Sequence, residues 1–147
     1  MSGDRRPEEV AVVVRRPGAH GVEFLVLLRS PEKLGYWHLV AGGVEWGEEP
    51  DAAAARELAE ETGLRAEPTP LHGPLDYDLS GDPESVRERF PAGTERIVVW
   101  AYVAEAPAGW EPTLDEEHVD HRWLTAADAV ALLHYPEPRE AVRMAAA

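Results

Sequence analysis

The chain has 147 residues, 44% hydrophobic and 29% charged, which suits one ordinary folded domain with a real core. It contains no cysteine, so disulfides, thiolate metal sites and a cysteine nucleophile are excluded. The 28 acidic and 14 basic residues leave a formal net charge of −14, which argues against broad binding to nucleic acid or anionic membranes. The opening MSGDRRPEE lacks an apolar signal core, and no apolar run approaches the length of a membrane span. The expectation is a cytoplasmic protein, monomer or homodimer, with neither nucleic acid nor membrane as partner.

Val10 to Val14 reads as a buried strand. Arg15 to Val22, with Pro17, Gly18 and Gly21, reads as a turn. Glu23 to Arg29 follows as a hairpin partner, then a loop over Ser30 to Gly35 and a short strand over Tyr36 to Val40. Pro50 to Thr62 is predicted to be a helix. Pro50 fits the first helical position, Asp51 adds an acid to the first turn, and Gly63 suits the residue past the end. Leu64 to Leu79 offers one or two strands interrupted by Pro68, Pro70 and Pro74. Ser80 to Thr94 reads as a long loop with a helical turn at Glu84 to Arg89. Arg96 to Ala104 and His118 to Leu124 are strands. Thr125 caps a helix to about Leu133, and a short last helix covers Pro138 to Ala145. There is no internal repeat and no linker, so a single domain over residues 1–147 is expected, of mixed α and β class.

The helix from Pro50 to Thr62 carries the chemistry. At roughly 100° per residue, Glu57, Glu60 and Glu61 share one face. Ala52, Ala55, Leu58, Ala59 and Thr62 fall on the opposite side, where a core face is expected. Carboxylates at this spacing repel pairwise by roughly 3 kcal/mol at an effective dielectric near 20. The helix has no lysine, and Arg56 is its only cation. A hard divalent cation such as Mg²⁺, or Mn²⁺ in its place, would turn that repulsion into attraction. A glutamate-rich face also serves plain solubility, so the surrounding residues have to decide. Gly42, Gly43 and Gly47 permit a tight loop just ahead of the helix.

From Gly42 the order is five residues, Glu48, seven residues, Arg56-Glu57, Leu58, Glu60-Glu61, Gly63 and Leu64. This pattern resembles the Nudix box of the Nudix hydrolases at every defined position, without a gap. The resemblance implies the Nudix fold, a mixed β-sheet sandwiched between helices. It also implies cleavage of a phosphoanhydride by water with divalent cations. On that footing Glu57, Glu60 and Glu61 are metal ligands, and Arg56, Glu57 and Glu60 belong to the catalytic set. Gly42, Glu48 and Gly63 brace the box, with Arg56 pairing to Glu48. Nudix enzymes often draw a further carboxylate from outside the box, and Glu117 in Asp115-Glu116-Glu117-His118 is the candidate, as ligand or base. His118 and His121 read as surface or strand residues.

A looser resemblance bears on the substrate. Arg87 to Arg96 (RERFPAGTER), the strand bearing Trp100, Glu117-His118, Arg122-Trp123-Leu124 and Tyr36-Trp37 are similar to the dihydroneopterin triphosphate diphosphatases. For such a ligand Arg29, Arg87, Arg89 and Arg96 are candidate phosphate donors. Trp37, Trp46 and Phe90 are candidate stacking rings, though core packing explains such aromatics equally well. The expected partner is a small phosphoanhydride, a nucleoside triphosphate-like molecule that loses pyrophosphate. The alternatives are a hydrolase of ordinary or modified nucleotides or of dinucleoside polyphosphates, and a non-catalytic nucleotide-sensing module.

Overall fold

The computed structural model describes residues 3–147. Its centre is β1 (Glu8–Gly18), whose residues Val10 to Val14 are 0 to 4% exposed. A continuous apolar run of this kind belongs to a strand covered on both faces. β1 pairs in parallel with β6 (Arg96–Glu105) along one edge. Its other edge is shared. Glu9 to Val12 pair antiparallel with β4 (Val40–Gly43), and Arg15 to Gly18 with β2 (Gly21–Arg29). β2 then diverges to pair with β3 (Trp37–His38) and β7 (His118–Leu124), while β5 (Thr69–Asp78) lies outside β6. The seven strands thus form one mixed sheet.

Helices cover both faces. Val10, Val12 and Val14 meet Ala53, Ala54 and Leu58 of α1 (Pro50–Thr62). Val13 turns the other way, toward Ala129 and Leu133 at α3 (Ala126–Leu132) and Ala141 and Val142 of α4 (Pro136–Ala146). Fully buried Leu58 contributes on the order of 2 kcal/mol by leaving water. The short α2 (Glu84–Arg87) sits over a third apolar cluster containing Ala11, Leu79, Phe90 and Ile97. The architecture is the mixed sheet between helices that the box implied.

α1 begins at Pro50 and stops at Gly63, whose φ of 80° lets its N–H donate to the Ala59 carbonyl at 2.9 Å. Thr125 caps α3 by accepting from the Asp128 N–H at 3.2 Å. Three local expectations are corrected. Arg15 to Val22 is not a long turn, because β1 and β2 keep pairing as far as Gly18 and Gly21, with Pro17 at the open end where a missing N–H costs little. The covered face of α1 is Ala53, Ala54, Leu58, Glu61 and Thr62, whereas Ala52 is exposed and Ala55 and Ala59 are half-buried. The helix is rotated so that Glu61 turns inward. Phe90 is 2% exposed inside its apolar cluster and offers no stacking surface.

Candidate functional site

β4 ends in Gly42 and Gly43, and the loop that follows returns the chain to α1 alongside it. A Cβ at Gly42 would run into the Glu57 carboxylate, so this position admits glycine alone without displacing that group. Arg56 is the hub. Its Nε and Nη2 donate to the two carboxyl oxygens of Glu48, each at 2.9 Å, a bidentate fork. Nη2 also donates to the Gly43 carbonyl at 3.0 Å, and Nη1 to Glu57 Oε1 at 2.8 Å. Hydrogen bonding to Arg56 holds the Glu48 carboxyl below its ordinary range, and the same bond raises the Arg56 guanidinium further.

The three box glutamates have different surroundings. Glu57 is tied to Arg56. Glu60 is exposed, its carboxylate 3.5 Å from Arg56 Nη1. Glu61 is 3% exposed, accepts weakly from the Ala41 N–H at 3.4 Å, and has a buried Oε2 with no hydrogen-bond partner. Burial holds the Glu61 carboxyl well above its ordinary value, and the neighbouring Glu57 carboxylate adds to the rise. Glu57 and Glu61 are therefore brought together, and Glu60 is not. Among the described residues no three histidine, aspartate or glutamate side chains converge as a metal cage. The donor set nonetheless fits a hard divalent cation: carboxylate oxygens only, one of them buried and unsatisfied.

His118 opens β7, in keeping with its strand reading, and is buried there at 6% exposure. Its Nδ1 lies 2.7 Å from Asp115 Oδ1 and its Nε2 3.6 Å from Glu61 Oε1. Glu117, the expected extra carboxylate, points elsewhere, its carboxylate 3.7 Å from Lys33 Nζ.

The expected substrate-binding residues are dispersed. Arg29 Nη1 donates to the Tyr36 hydroxyl at 3.2 Å, its guanidinium stacks 5.4 Å from that ring, and its buried Nε has no partner. Tyr36 in turn meets the rings of His38, His134 and Tyr135 at 5.1 to 5.6 Å between centroids. Trp37 packs against the α3–α4 side of the core, with Arg122 at 4.7 Å over its face. Arg87 Nε donates to the Asp82 carbonyl at 3.1 Å, while Arg89 and Arg96 are exposed. Trp46 is 62% exposed, and its Nε1 donates to the Asp4 carbonyl.

That last bond belongs to a strap missed in the sequence. Residues 4–7 run past the box loop into β1. Arg6 donates to Glu8 Oε1 at 2.9 Å and to the carbonyls of Glu45 and Glu48 at 3.1 and 2.8 Å. Between strap and loop lies an open cavity of about 350 Å³, bordered by Arg5, Arg6, Trp46, Arg56 and Glu57. A larger shallow hollow of about 510 Å³, between α3 and the end of α4, is lined mostly by alanines and contains none of the box residues.

Comparison with known proteins agrees with this architecture. The NUDIX domain profile matches residues 5–145. The chain is 34% identical over 140 residues to an RNA pyrophosphohydrolase of Roseobacter denitrificans, covering 84% of this chain and 85% of that protein. It is 35% identical over 148 residues to an octanoyltransferase of Myxococcus xanthus, covering 97% of this chain but only 37% of that protein's length. Among solved structures, the dihydroneopterin triphosphate pyrophosphohydrolase of E. coli superimposes with a TM-score of 0.80 at 24% identity, covering 99% and 100% of the two chains, a likeness of fold. The chain belongs to the NUDIX family and carries the complete box of the Nudix hydrolases. No helix among the described residues is long and apolar enough to cross a membrane.

Proposed function

We propose that the protein is a divalent-cation-dependent hydrolase that splits a phosphoanhydride bond of a nucleoside triphosphate-like small molecule and releases pyrophosphate. The observation that carries this is the pairing of Glu57 with buried Glu61 beside Gly42, one carboxylate oxygen left without a partner. Two acids held together in a partly dry site need a cation, a proton or a rearrangement.

Glu57, Glu60 and Glu61 would hold Mg²⁺, or Mn²⁺ as a substitute. When bound, the cation supplies neutralisation of the phosphate oxygens and acidification of a coordinated water. The chain's own residues do the rest. Arg56 fixes the position of Glu57 and is itself fixed by Glu48. Gly42 leaves the Glu57 carboxylate room, and Gly63 ends the helix just past Glu61. A carboxylate of Glu57, Glu60 or Glu117 accepts the proton of the attacking water. Glu117 must leave Lys33 to do so. Arg29, Trp37, Arg87, Arg89 and Arg96 are the proposed contacts to the rest of the substrate.

The stretch Arg87 to Arg96 and the Tyr36–Arg29 stack support a flat heterocycle carrying a triphosphate, with dihydroneopterin triphosphate first in line. The rival substrates are nucleoside triphosphates, modified nucleotides and dinucleoside polyphosphates. A panel of these with Mg²⁺ and product identification separates the readings. Pyrophosphate from the pterin triphosphate supports the first, and cleavage of dinucleotides alone rejects it. Glu61→Gln should lower turnover by more than about 100-fold, and Glu60→Gln should also lower it. Unchanged rates in folded variants of both reject the catalytic role of the cluster.

A further inference from the structure

The cavity beneath the strap contains a cation that the box does not use. Arg6 and Arg56 line it too, but their donors are engaged by Glu8, Glu48, Glu57 and backbone carbonyls. Arg5 is different. Its guanidinium makes no hydrogen bond among the described residues; its one ion pair is a loose one, Nη2 to Glu9 Oε2 at 3.6 Å, while Glu9 Oε1 accepts from the Tyr77 hydroxyl at 3.0 Å. The Arg5 side chain is 38% exposed and borders the open cavity.

Its placement is built from three sides. The Arg5 backbone N–H donates to the Arg89 carbonyl at 2.9 Å, which anchors the strap. The guanidinium lies 5.7 Å from the Phe90 ring centroid. On the third side is Gly43, where a Cβ would stand 3.1 Å from Nε and Nη2, so the glycine lets the planar group lie against the β4 backbone. Arg5 and Glu57 line the same cavity, which none of Arg29, Arg87, Arg89 and Arg96 reaches. A planar fork with free donors, beside acids that would hold a cation and bordered by an exposed indole, suits a phosphate group.

We propose that the strap completes a phosphate subsite, in which Arg5 grips the outermost phosphate of a polyphosphate chain and Trp46 forms the opposite wall. The proposal rests on the hydrolase reading for its place in catalysis, but the binding can be measured without turnover. The probe is inorganic triphosphate with Mg²⁺ present, followed by calorimetry and tryptophan fluorescence in wild type, Arg5→Ala, Arg5→Lys, Trp46→Phe and, as a control at an exposed arginine outside the cavity, Arg65→Ala.

Arg5→Ala should weaken triphosphate binding by roughly 10-fold, with partial recovery in Arg5→Lys and little change in Arg65→Ala. The fluorescence response should disappear in Trp46→Phe while calorimetric binding remains. With a hydrolysable triphosphate, Arg5→Ala should raise KM and leave kcat within a few-fold. Equal affinity of wild type and Arg5→Ala, or an equal loss in Arg65→Ala, overturns the subsite. Intact Arg5-dependent binding without hydrolysis of any phosphoanhydride keeps the subsite and defeats the hydrolase reading.

Discussion

On α1 the guanidinium of Arg56 is surrounded. Both oxygens of Glu48, one of Glu57 and the Gly43 carbonyl accept from it within 3.0 Å. Just past α2, the guanidinium of Arg89 is exposed and makes no hydrogen bond among the described residues; only its backbone is used, its N–H donating to Val86 and its carbonyl accepting from Arg5. The two regions divide the work. Where acids must be held in a fixed relation before a substrate arrives, the charge is consumed by the protein itself, and geometry is set in advance. Where charge is left free, the residue can meet a ligand but contributes little to holding the fold.

The sharpest way to break this contrast is Arg56→Ala. It strips both Glu48 and Glu57 of their partner in a partly buried site and should cost about 1–3 kcal/mol in thermal or urea unfolding. Arg56→Lys keeps the charge and loses the fork, so it should recover only part of that stability. A stability unchanged in Arg56→Ala would show that the network is decoration.

A second test uses acid. His38 is held neutral, its pKa lowered from 6.5 to about 3, by burial first and by the nearby Arg29 charge second. The unfolded chain therefore takes up a proton below pH 6.5 that the folded chain refuses until about pH 3. Stability should fall as pH drops through that window. His38→Gln should lessen the loss by on the order of 1 kcal/mol, allowing for the ring's partial exposure. Identical acid unfolding curves would contradict the shift. The smallest effect belongs to the exposed arginines at and beyond α2. Arg87→Ala and Arg89→Ala should each change unfolding free energy by less than about 0.5 kcal/mol.

Sequence and structure agree where local chemistry settles the matter. Pro50 and Gly63 bracket α1 because one lacks the N–H that a first turn does not need and the other accepts a positive φ. β7 begins and ends at His118 and Leu124, the bounds read from the sequence. The helix face did not follow, since angles on a wheel place residues relative to one another and not to the sheet. Glu61 turns inward to meet the Ala41 N–H of β4 and His118 of β7, and no residue in α1 announces that. The inward turn of His118 depends on the same meeting of distant elements. Arg5 and Arg6 meet the box loop only after the chain has folded back some forty residues later, so their adjacent pair in sequence reads as a polar leader.

β5 is the outermost strand on its side of the sheet. Pro70 and Pro74 interrupt its register with β6, and Gly73 between them has a φ of 74°. Proline offers no donor, and a kinked border cannot align with a straight neighbour. Two copies of this chain are thereby denied a continuous intermolecular ladder along that border. A homodimer of this protein would have to form elsewhere than along that border.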